Sequence, residues 1–177
     1  MKKLLLILLC LPMIGFGQTA NDFFEKGNEY LEKEDYFNAK LNYLLSLELN
    51  EYNWLAYQKL SWVADRQGDW QGVIDNSNKA KELNETNDYL YVAVAKAYFK
   101  LNMYKEAINE YTIFFDRHKA EYEKGEIQAK MQFLFAYRER GLCYLYLGDK
   151  ESACKDWQKE SEIFPQDSKN FIKYCSE

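Results

Sequence analysis

The sequence predicts an all-α protein, a solenoid of four helix-turn-helix units followed by a C-terminal capping helix. The first observation behind this prediction is a repeat, since similar residues return every 34 positions over most of the chain. The second is the spacing of small and aromatic residues inside each repeat, which places them on one face of a helix. The third is a turn signal such as Gln67-Gly68-Asp69 in the middle of the repeat. A single helix pair cannot bury its apolar face, so stacked neighbours create the core.

One column of small residues sets the register of the repeat: Gly27, Ser61 and Ala95 follow one another at intervals of 34 residues. The columns aligned with it are mostly aromatic or small: Phe23, Tyr57 and Tyr91; Tyr30, Ala64 and Tyr98; Tyr36, Trp70 and Tyr104; Ala39, Val73 and Ala107; Tyr43, Ser77 and Tyr111. A fourth copy has the same pattern: Tyr137, Gly141, Tyr144, Ala153, Trp157 and Pro165. Because Gly141 follows Ala95 by 46 residues, an insertion of 12 precedes this copy.

In this register the chain resembles the tetratricopeptide repeat over residues 20–167, with the best matches at 68–83 and 148–165. It departs from that family at three positions: Ser77 replaces an aromatic residue, and Phe114 and Glu160 replace alanine. The resemblance implies a right-handed superhelix. Its parts are units at about 20–53, 54–87, 88–121 and 134–167, an insertion at 122–133, and a capping helix at 168–176.

The insertion is rich in helix-forming residues except at Gly125. Twelve residues amount to about three helical turns shared between two helices. The sequence therefore predicts that the second helix of unit three and the first helix of unit four are lengthened, with a turn near Gly125. Two interpretations stay open, a longer structural hairpin and a projecting arm that contacts a partner.

The N-terminus has the three parts of a secretory signal peptide: a charged start at Lys2 and Lys3, an apolar run over 4–14, and a small-x-small cleavage site ending at Gly17. The apolar run is shorter than the roughly 20 residues that span a bilayer. We therefore expect residues 1–17 to be removed, leaving an exported domain of residues 18–177 in the periplasm or outside the cell. An alternative is lipidation of Cys10, which is disfavoured because Leu9 precedes it instead of a small residue.

Charge argues against a nucleic-acid partner. The formal net charge is −5, and removal of Lys2 and Lys3 makes it −7. Nucleic-acid binding depends on clustered Lys and Arg, and the sequence contains no basic stripe.

No catalytic set is apparent, so the sequence predicts a protein that is not an enzyme and needs no cofactor or metal. His118 is the only histidine, and its neighbours Asp116, Arg117 and Lys119 suggest a solvent-exposed position. The sequence has no nucleophile elbow, metal-ligand cluster or glycine-rich phosphate loop.

Three cysteines remain after the expected cleavage: Cys143, Cys154 and Cys175. Export to an oxidising compartment favours pairing. Cys154 lies early in the last repeat's second helix and Cys175 near the end of the capping helix, so we expect these two to form a disulfide. Cys143 is expected to be a buried thiol. The alternative is that all three are reduced.

The family resemblance further implies a ligand groove lined by the first helix of each unit. The positions carried over are Asn21, Phe24, Asn28 and Leu31; Leu55, Gln58, Trp62 and Arg66; Tyr89, Val92, Lys96 and Phe99; Phe135, Arg138, Leu142 and Tyr146. Nine of these are the predicted binding residues: Phe24, Asn28, Trp62, Arg66, Tyr89, Lys96, Phe99, Arg138 and Tyr146. An aromatic groove with interspersed cations suits an extended peptide or a partner helix that carries acidic residues.

The groove does not match the carboxylate clamp of chaperone adaptors, since only Asn28 and Lys96 fit that pattern. An alternative is that several of these aromatic residues pack on neighbouring helices. The sequence thus predicts a protein-interaction scaffold, monomeric or weakly self-associating, within a cell-envelope assembly. The rival prediction is a self-associating structural protein, and an enzyme or small-ligand carrier is disfavoured.

Overall fold

The structure is a computed structural model that describes residues 18–84, 89–124, 127–163, 165 and 168–176. Residues 1–17 lie outside the described residues, so the predicted signal peptide and the lipidation of Cys10 do too. Gly125, where the turn of the inserted hairpin is predicted, also lies outside them.

The described residues form helices and no strands, which confirms the predicted all-α class. The helices are α1 (Ala20–Glu32), α2 (Tyr36–Leu49), α3 (Trp54–Gln67), α4 (Trp70–Leu83), α5 (Tyr89–Lys100), α6 (Tyr104–Lys124), α7 (Ile127–Tyr146), α8 (Lys150–Ile163) and α9 (Lys169–Ser176). Successive pairs pack together as four helical hairpins, and each second helix also packs on the next unit. In the part of the chain that the structure describes, no helix has both the length and the apolarity to cross a membrane.

The turn inside each unit repeats one backbone feature. A residue with positive φ occupies the same register position in every unit: Glu34 (57°), Gly68 (72°), Asn102 (59°) and Gly148 (82°). In three units an aspartate follows it, and its carboxylate accepts a hydrogen bond from a backbone N–H three residues on: Asp35, Asp69 and Asp149. Such N-caps satisfy otherwise unpaired N–H groups, so in these three units the turn residues determine where the second helix begins.

Small residues on the first helices let the second helices approach closely. A Cβ atom added to Gly27 would lie 2.6 Å from the Tyr43 ring, and one added to Gly141 would lie 2.5 Å from Trp157 Nε1. In unit two the aromatic residue is absent, and Ser77 instead forms a 2.6 Å hydrogen bond with Ser61. The departure from the family pattern at Ser77 is therefore compensated by its partner on α3.

Among the described residues, three clusters of the core each bridge helices of adjacent units. The first contains Phe24, Ala39, Tyr43, Ala56, Leu60 and Val63. The second contains Ala64, Val73, Ile74, Val94 and Ala97. The third contains Ala95, Ala107, Tyr111, Phe114, Phe115, Phe133, Ala136 and Cys143. Burial thus depends on stacking, as the repeat predicts.

The described residues of the insertion, 122–124 and 127–133, lie in two long helices. Helices α6 and α7 contain 21 and 20 residues, whereas α1 to α5 and α8 contain 12 to 14. The prediction that His118 is solvent-exposed is wrong, because its side chain is only 8% exposed. Its ring lies 4.8 Å from that of Phe114 and 6.5 Å from that of Phe133 on α7. The lengthened hairpin extends the core to the helical turn that carries this histidine.

Helix α9 covers the C-terminal end of the stack. Phe171 stacks on Trp157 at 4.7 Å and Tyr174 meets the same ring edge-on at 6.1 Å. Trp157 is thereby left only 1% exposed. Helix α9 is therefore a cap that packs on α8.

Candidate functional site

A cleft between α3 and α5 brings several of the predicted groove residues together. Its volume is about 50 Å³. Its walls are Gln58, Ser61, Trp62 and Asp65 on α3, and Tyr89, Leu90, Val92, Ala93 and Lys96 on α5. We call this feature the central cleft. Tyr89 at its rim is 50% exposed, so the cleft offers aromatic surface to solvent.

Ionic and cation–π contacts hold the side chains around the central cleft. Lys96 Nζ lies 2.7 Å from Asp65 Oδ1, which links α5 to α3 across the cleft. The Arg66 guanidinium lies 4.6 Å from the centre of the Trp62 ring. Because Asp65 compensates the charge of Lys96, the cleft is less cationic than the sequence suggests. The sequence prediction omits Asp65, although stacking of adjacent units places its position beside that of Lys96.

Two further predicted residues form a ring cluster beyond the cleft. Tyr146 stacks on Tyr104 at 4.9 Å, and Phe99 lies 6.0 Å from Tyr146 and 5.8 Å from Tyr104. Tyr146 nevertheless remains 59% exposed. These residues extend the aromatic surface from α5 to α7. Their rings pack on one another, while Tyr146 stays accessible to a partner.

The N-terminal end of the predicted groove is closed by packing. Phe24 is only 8% exposed and its ring lies 5.7 Å from Tyr43, so it belongs to the core and is not a groove residue. Asn28 is half-buried and accepts a 2.9 Å hydrogen bond from the Tyr43 hydroxyl. The close approach of α2 at Gly27 turns both side chains towards it.

The C-terminal end of the predicted groove differs in another way. Arg138 Nε donates a 2.6 Å hydrogen bond to Glu160 Oε1, and Glu160 on α8 is completely buried. The Arg138 guanidinium also lies 5.8 Å from the Phe171 ring of the cap. Glu160, which departs from the family pattern, therefore forms an ion pair with Arg138. Arg138 in turn joins α7 to α8 and contacts α9.

Two cysteines meet at the edge of the cap. Cys154 and Cys175 are bonded through their sulfur atoms, with Cα atoms 5.7 Å apart, a distance typical of disulfides. Cys143 is completely buried as a free thiol, and burial raises its pKa to about 12. Pairing of Cys154 with Cys175 in the exported protein stays a prediction.

Comparison with known proteins places the chain among helical-repeat structures. A scan against protein-family models gives no match. A crystal structure of MamA has a TM-score of 0.71 at 20% identity, covering 89% of this chain and 85% of MamA. A tetratricopeptide repeat protein from Parabacteroides merdae has a TM-score of 0.68 at 22% identity, covering 84% of this chain and 55% of that protein.

YrrB, described as a tetratricopeptide-repeat protein with an unusual peptide-binding site, has a TM-score of 0.54 at 20% identity. The alignment covers 82% of this chain and 87% of YrrB. At such identities the likeness concerns the fold, and it agrees with the 34-residue register of the sequence itself. By fold, the chain is a tetratricopeptide-repeat solenoid.

Proposed function

We propose that this chain is an exported, non-catalytic scaffold that binds a segment of a partner protein in the groove of α3, α5 and α7. The observation that carries the proposal is the central cleft, where Trp62, Tyr89 and Val92 offer apolar surface at an accessible edge. Tryptophan, tyrosine and arginine dominate the binding energy of protein interfaces, and three of them (Trp62, Tyr89 and Arg66) stand here together.

The cleft is preorganised for such a segment. Arg66 is held over Trp62, and Lys96 is held by Asp65, so these side chains lose little freedom on binding. Its volume of about 50 Å³ is far below the roughly 300–1,000 Å³ of small-molecule sites. These dimensions favour a single inserted side chain of a peptide over a small-molecule ligand.

The charges of the groove residues indicate which side chains the partner segment should carry. Asp65 compensates Lys96 and Glu160 compensates Arg138, so Arg66 is the groove cation best placed to meet an acidic group. The preferred segment therefore has one apolar side chain for the central cleft and one acidic residue within reach of Arg66.

The setting of the proposed function is the cell envelope. The signal-like residues 1–17 support export, and the Cys154–Cys175 pair suits an oxidising compartment. The peptide-binding site named for YrrB, a protein of similar fold, supports a peptide ligand by analogy only.

Site-specific photo-crosslinking in the native compartment tests the proposal. A benzophenone amino acid in place of Tyr89 should capture a partner, whereas the same group in place of Tyr52 should not. Tyr52 is a matched control, because it is 70% exposed but lies in the α2–α3 turn and does not line the cleft. Equal crosslinking at both positions would contradict the groove as the site.

The captured segment, made as a synthetic peptide, then allows affinities to be measured. Trp62→Ala should weaken binding about thirtyfold, the effect of losing a hot spot worth roughly 2 kcal/mol. Arg66→Glu should weaken the binding of peptides that keep their acidic residue more than the binding of peptides in which glutamine replaces it. Gln71→Ala, at an exposed position on α4, is the control. Binding by Trp62→Ala within twofold of wild type would overturn the proposal.

A further inference from the structure

The outer face of α2 carries an apolar stripe that has no counterpart in the other units. Phe37 is 76% exposed, Leu41 46% and Leu44 44%. Their spacing of four and three places them on one helix face. The opposite face, with Ala39, Tyr43 and Ser46, is completely buried. We call these three exposed residues the outer stripe.

The other units provide an internal control for this observation. At the same register positions every residue is polar: Gln71, Asp75 and Asn78 on α4; Lys105, Asn109 and Thr112 on α6; Glu151, Lys155 and Gln158 on α8. A terminal unit of a solenoid normally has a polar outer surface, because solubility requires it. The fold therefore does not need apolar residues here, and the outer stripe marks an interaction surface.

We propose that the outer stripe pairs with the outer stripe of a second copy of this chain, in an antiparallel dimer with two-fold symmetry. In an isologous contact the same patch must complement itself. Placing Leu41 of each copy against Leu44 of the other satisfies this condition, and Phe37 then lies against the C-terminal half of the partner helix.

The charges beside the stripe favour this antiparallel alignment. Lys40 lies in the N-terminal half of α2 and Glu48 in its C-terminal half, and both are exposed. The alignment of Leu41 with Leu44 brings Glu48 of each copy within about one helical turn of Lys40 of the other. A parallel alignment would place like charges together, so the charge pattern selects the antiparallel pair.

The size of the stripe makes this dimer weak. Its three side chains cover far less area than the roughly 800 Å² per partner that a standard stable interface buries. The dimer is thus reversible and concentration-dependent. It leaves the central cleft open, because none of the three stripe residues lines it. A dimer would present two grooves, so it would bind with avidity a partner that carries the recognised segment more than once.

Sedimentation velocity on the purified exported protein tests the proposal. At about 100 µM, a concentration at which a small interface of this kind is populated, we expect a monomer–dimer equilibrium. Leu41→Glu should abolish the dimer, while Asp75→Asn, at the same register position in α4, should leave it unchanged. Trp62→Ala should also leave it unchanged, which separates this proposal from groove binding.

A charge exchange identifies the second copy as the occupant. Lys40→Glu should weaken the dimer about fivefold through like-charge repulsion, and adding Glu48→Lys should restore it to within about twofold. These surface variants keep the buried face of α2 intact, so circular dichroism should show an unchanged fold. A wild-type monomer at about 100 µM, a dimer that survives Leu41→Glu, or a double variant as weak as Lys40→Glu would each overturn the proposal.

Discussion

Within the first two units, the buried polar contacts described between paired helices join uncharged groups, whereas those of the last unit include ion pairs. Tyr43 donates to Asn28 at 2.9 Å and Ser61 meets Ser77 at 2.6 Å. In the last unit Arg140 binds Asp156 with two hydrogen bonds of 2.7 and 2.8 Å.

The difference determines how each region tolerates change. An uncharged contact contributes about 1 kcal/mol and can be replaced by apolar groups. A buried ion pair costs more when one partner is removed, because the other charge remains without compensation. The C-terminal units should therefore respond more sharply to single substitutions than the N-terminal units.

The largest effect is expected at Arg140. Arg140→Met should lower the free energy of unfolding by about 3–5 kcal/mol, since Asp156 would stay buried without its partner. Burial already raises the pKa of Asp156 although Arg140 opposes this shift, so the carboxylate depends on the guanidinium. Urea unfolding at neutral pH measures the change.

Two variants check the reason for this loss. Arg140→Met with Asp156→Leu should recover most of the stability, because no charge is then left unpaired. Lys155→Ala removes an ion pair with Glu151 whose side chains are 69% and 81% exposed, so it should change stability by less than about 1 kcal/mol. Equal losses in Arg140→Met and Lys155→Ala would show that burial does not determine how much the loss of an ion pair costs in this unit.

The next effect concerns the cap. The disulfide closes a loop with a sequence separation of 21, so losing it should cost about 3 kcal/mol in the chain-entropy model. The double variant Cys154→Ser and Cys175→Ser should also increase acrylamide quenching of Trp157, which α9 leaves only 1% exposed.

Mass mapping of the exported protein under non-reducing conditions examines the pairing directly. Free thiols at both Cys154 and Cys175 would exclude it. Cys143 is the internal control: burial raises its pKa to about 12, so iodoacetamide should modify it only after unfolding.

The first and last units each have a glycine where the first helix contacts an aromatic ring of the second helix, so the two ends of the solenoid can be compared at equivalent positions. Gly141→Leu and Gly27→Leu should each cost about 1–3 kcal/mol or more, because the new side chain would overlap an aromatic ring. Displacement of either ring would also break a hydrogen bond. The loss should be larger at Gly141, since moving Trp157 also disturbs its ring contacts with Phe171 and Tyr174 of the cap. Thermal unfolding of both variants measures the difference, and a larger loss at Gly27 would contradict it.

One register column shows how much the sequence predicts. Phe24, Gln58, Val92 and Arg138 occupy equivalent positions, and the repeat correctly places all of them on first helices. Their surroundings differ: Phe24 is buried against Tyr43, Gln58 and Val92 line the central cleft, and Arg138 binds Glu160.

The surroundings differ because each position faces a different neighbouring element. A repeat fixes helix order and helix contacts, since these depend on local spacing. The direction of a long side chain depends on the elements beside it, and for Arg138 those elements are α8 and the cap. The prediction for His118 fails for the same reason, although its spacing of seven from Tyr111 and four from Phe114 is that of a buried helix face.

A smaller effect is expected for the serine pair of unit two. Ser77→Ala should cost about 1–2 kcal/mol, because Ser61 Oγ would keep only its 3.4 Å contact with Val73 O. Adding Ser61→Ala should cost less than the sum of the two single losses, as expected for directly coupled groups. Strictly additive losses in urea unfolding would show that the hydrogen bond does not join the helices.

The smallest effect concerns the turn residue with positive φ. In the first unit this residue has a Cβ atom, and in the last unit it does not. Gly148 has φ 82° and suits a left-handed backbone, whereas Glu34 adopts φ 57° at the equivalent position with a Cβ atom that disfavours it. Glu34→Gly should therefore raise the free energy of unfolding by about 0.5–1 kcal/mol, since relief of strain exceeds the added freedom of the unfolded chain. Gly148→Glu should lower it by a similar amount. If Glu34→Gly destabilises the protein in urea unfolding, the side chain of Glu34 must contribute more to the first unit than its backbone strain costs.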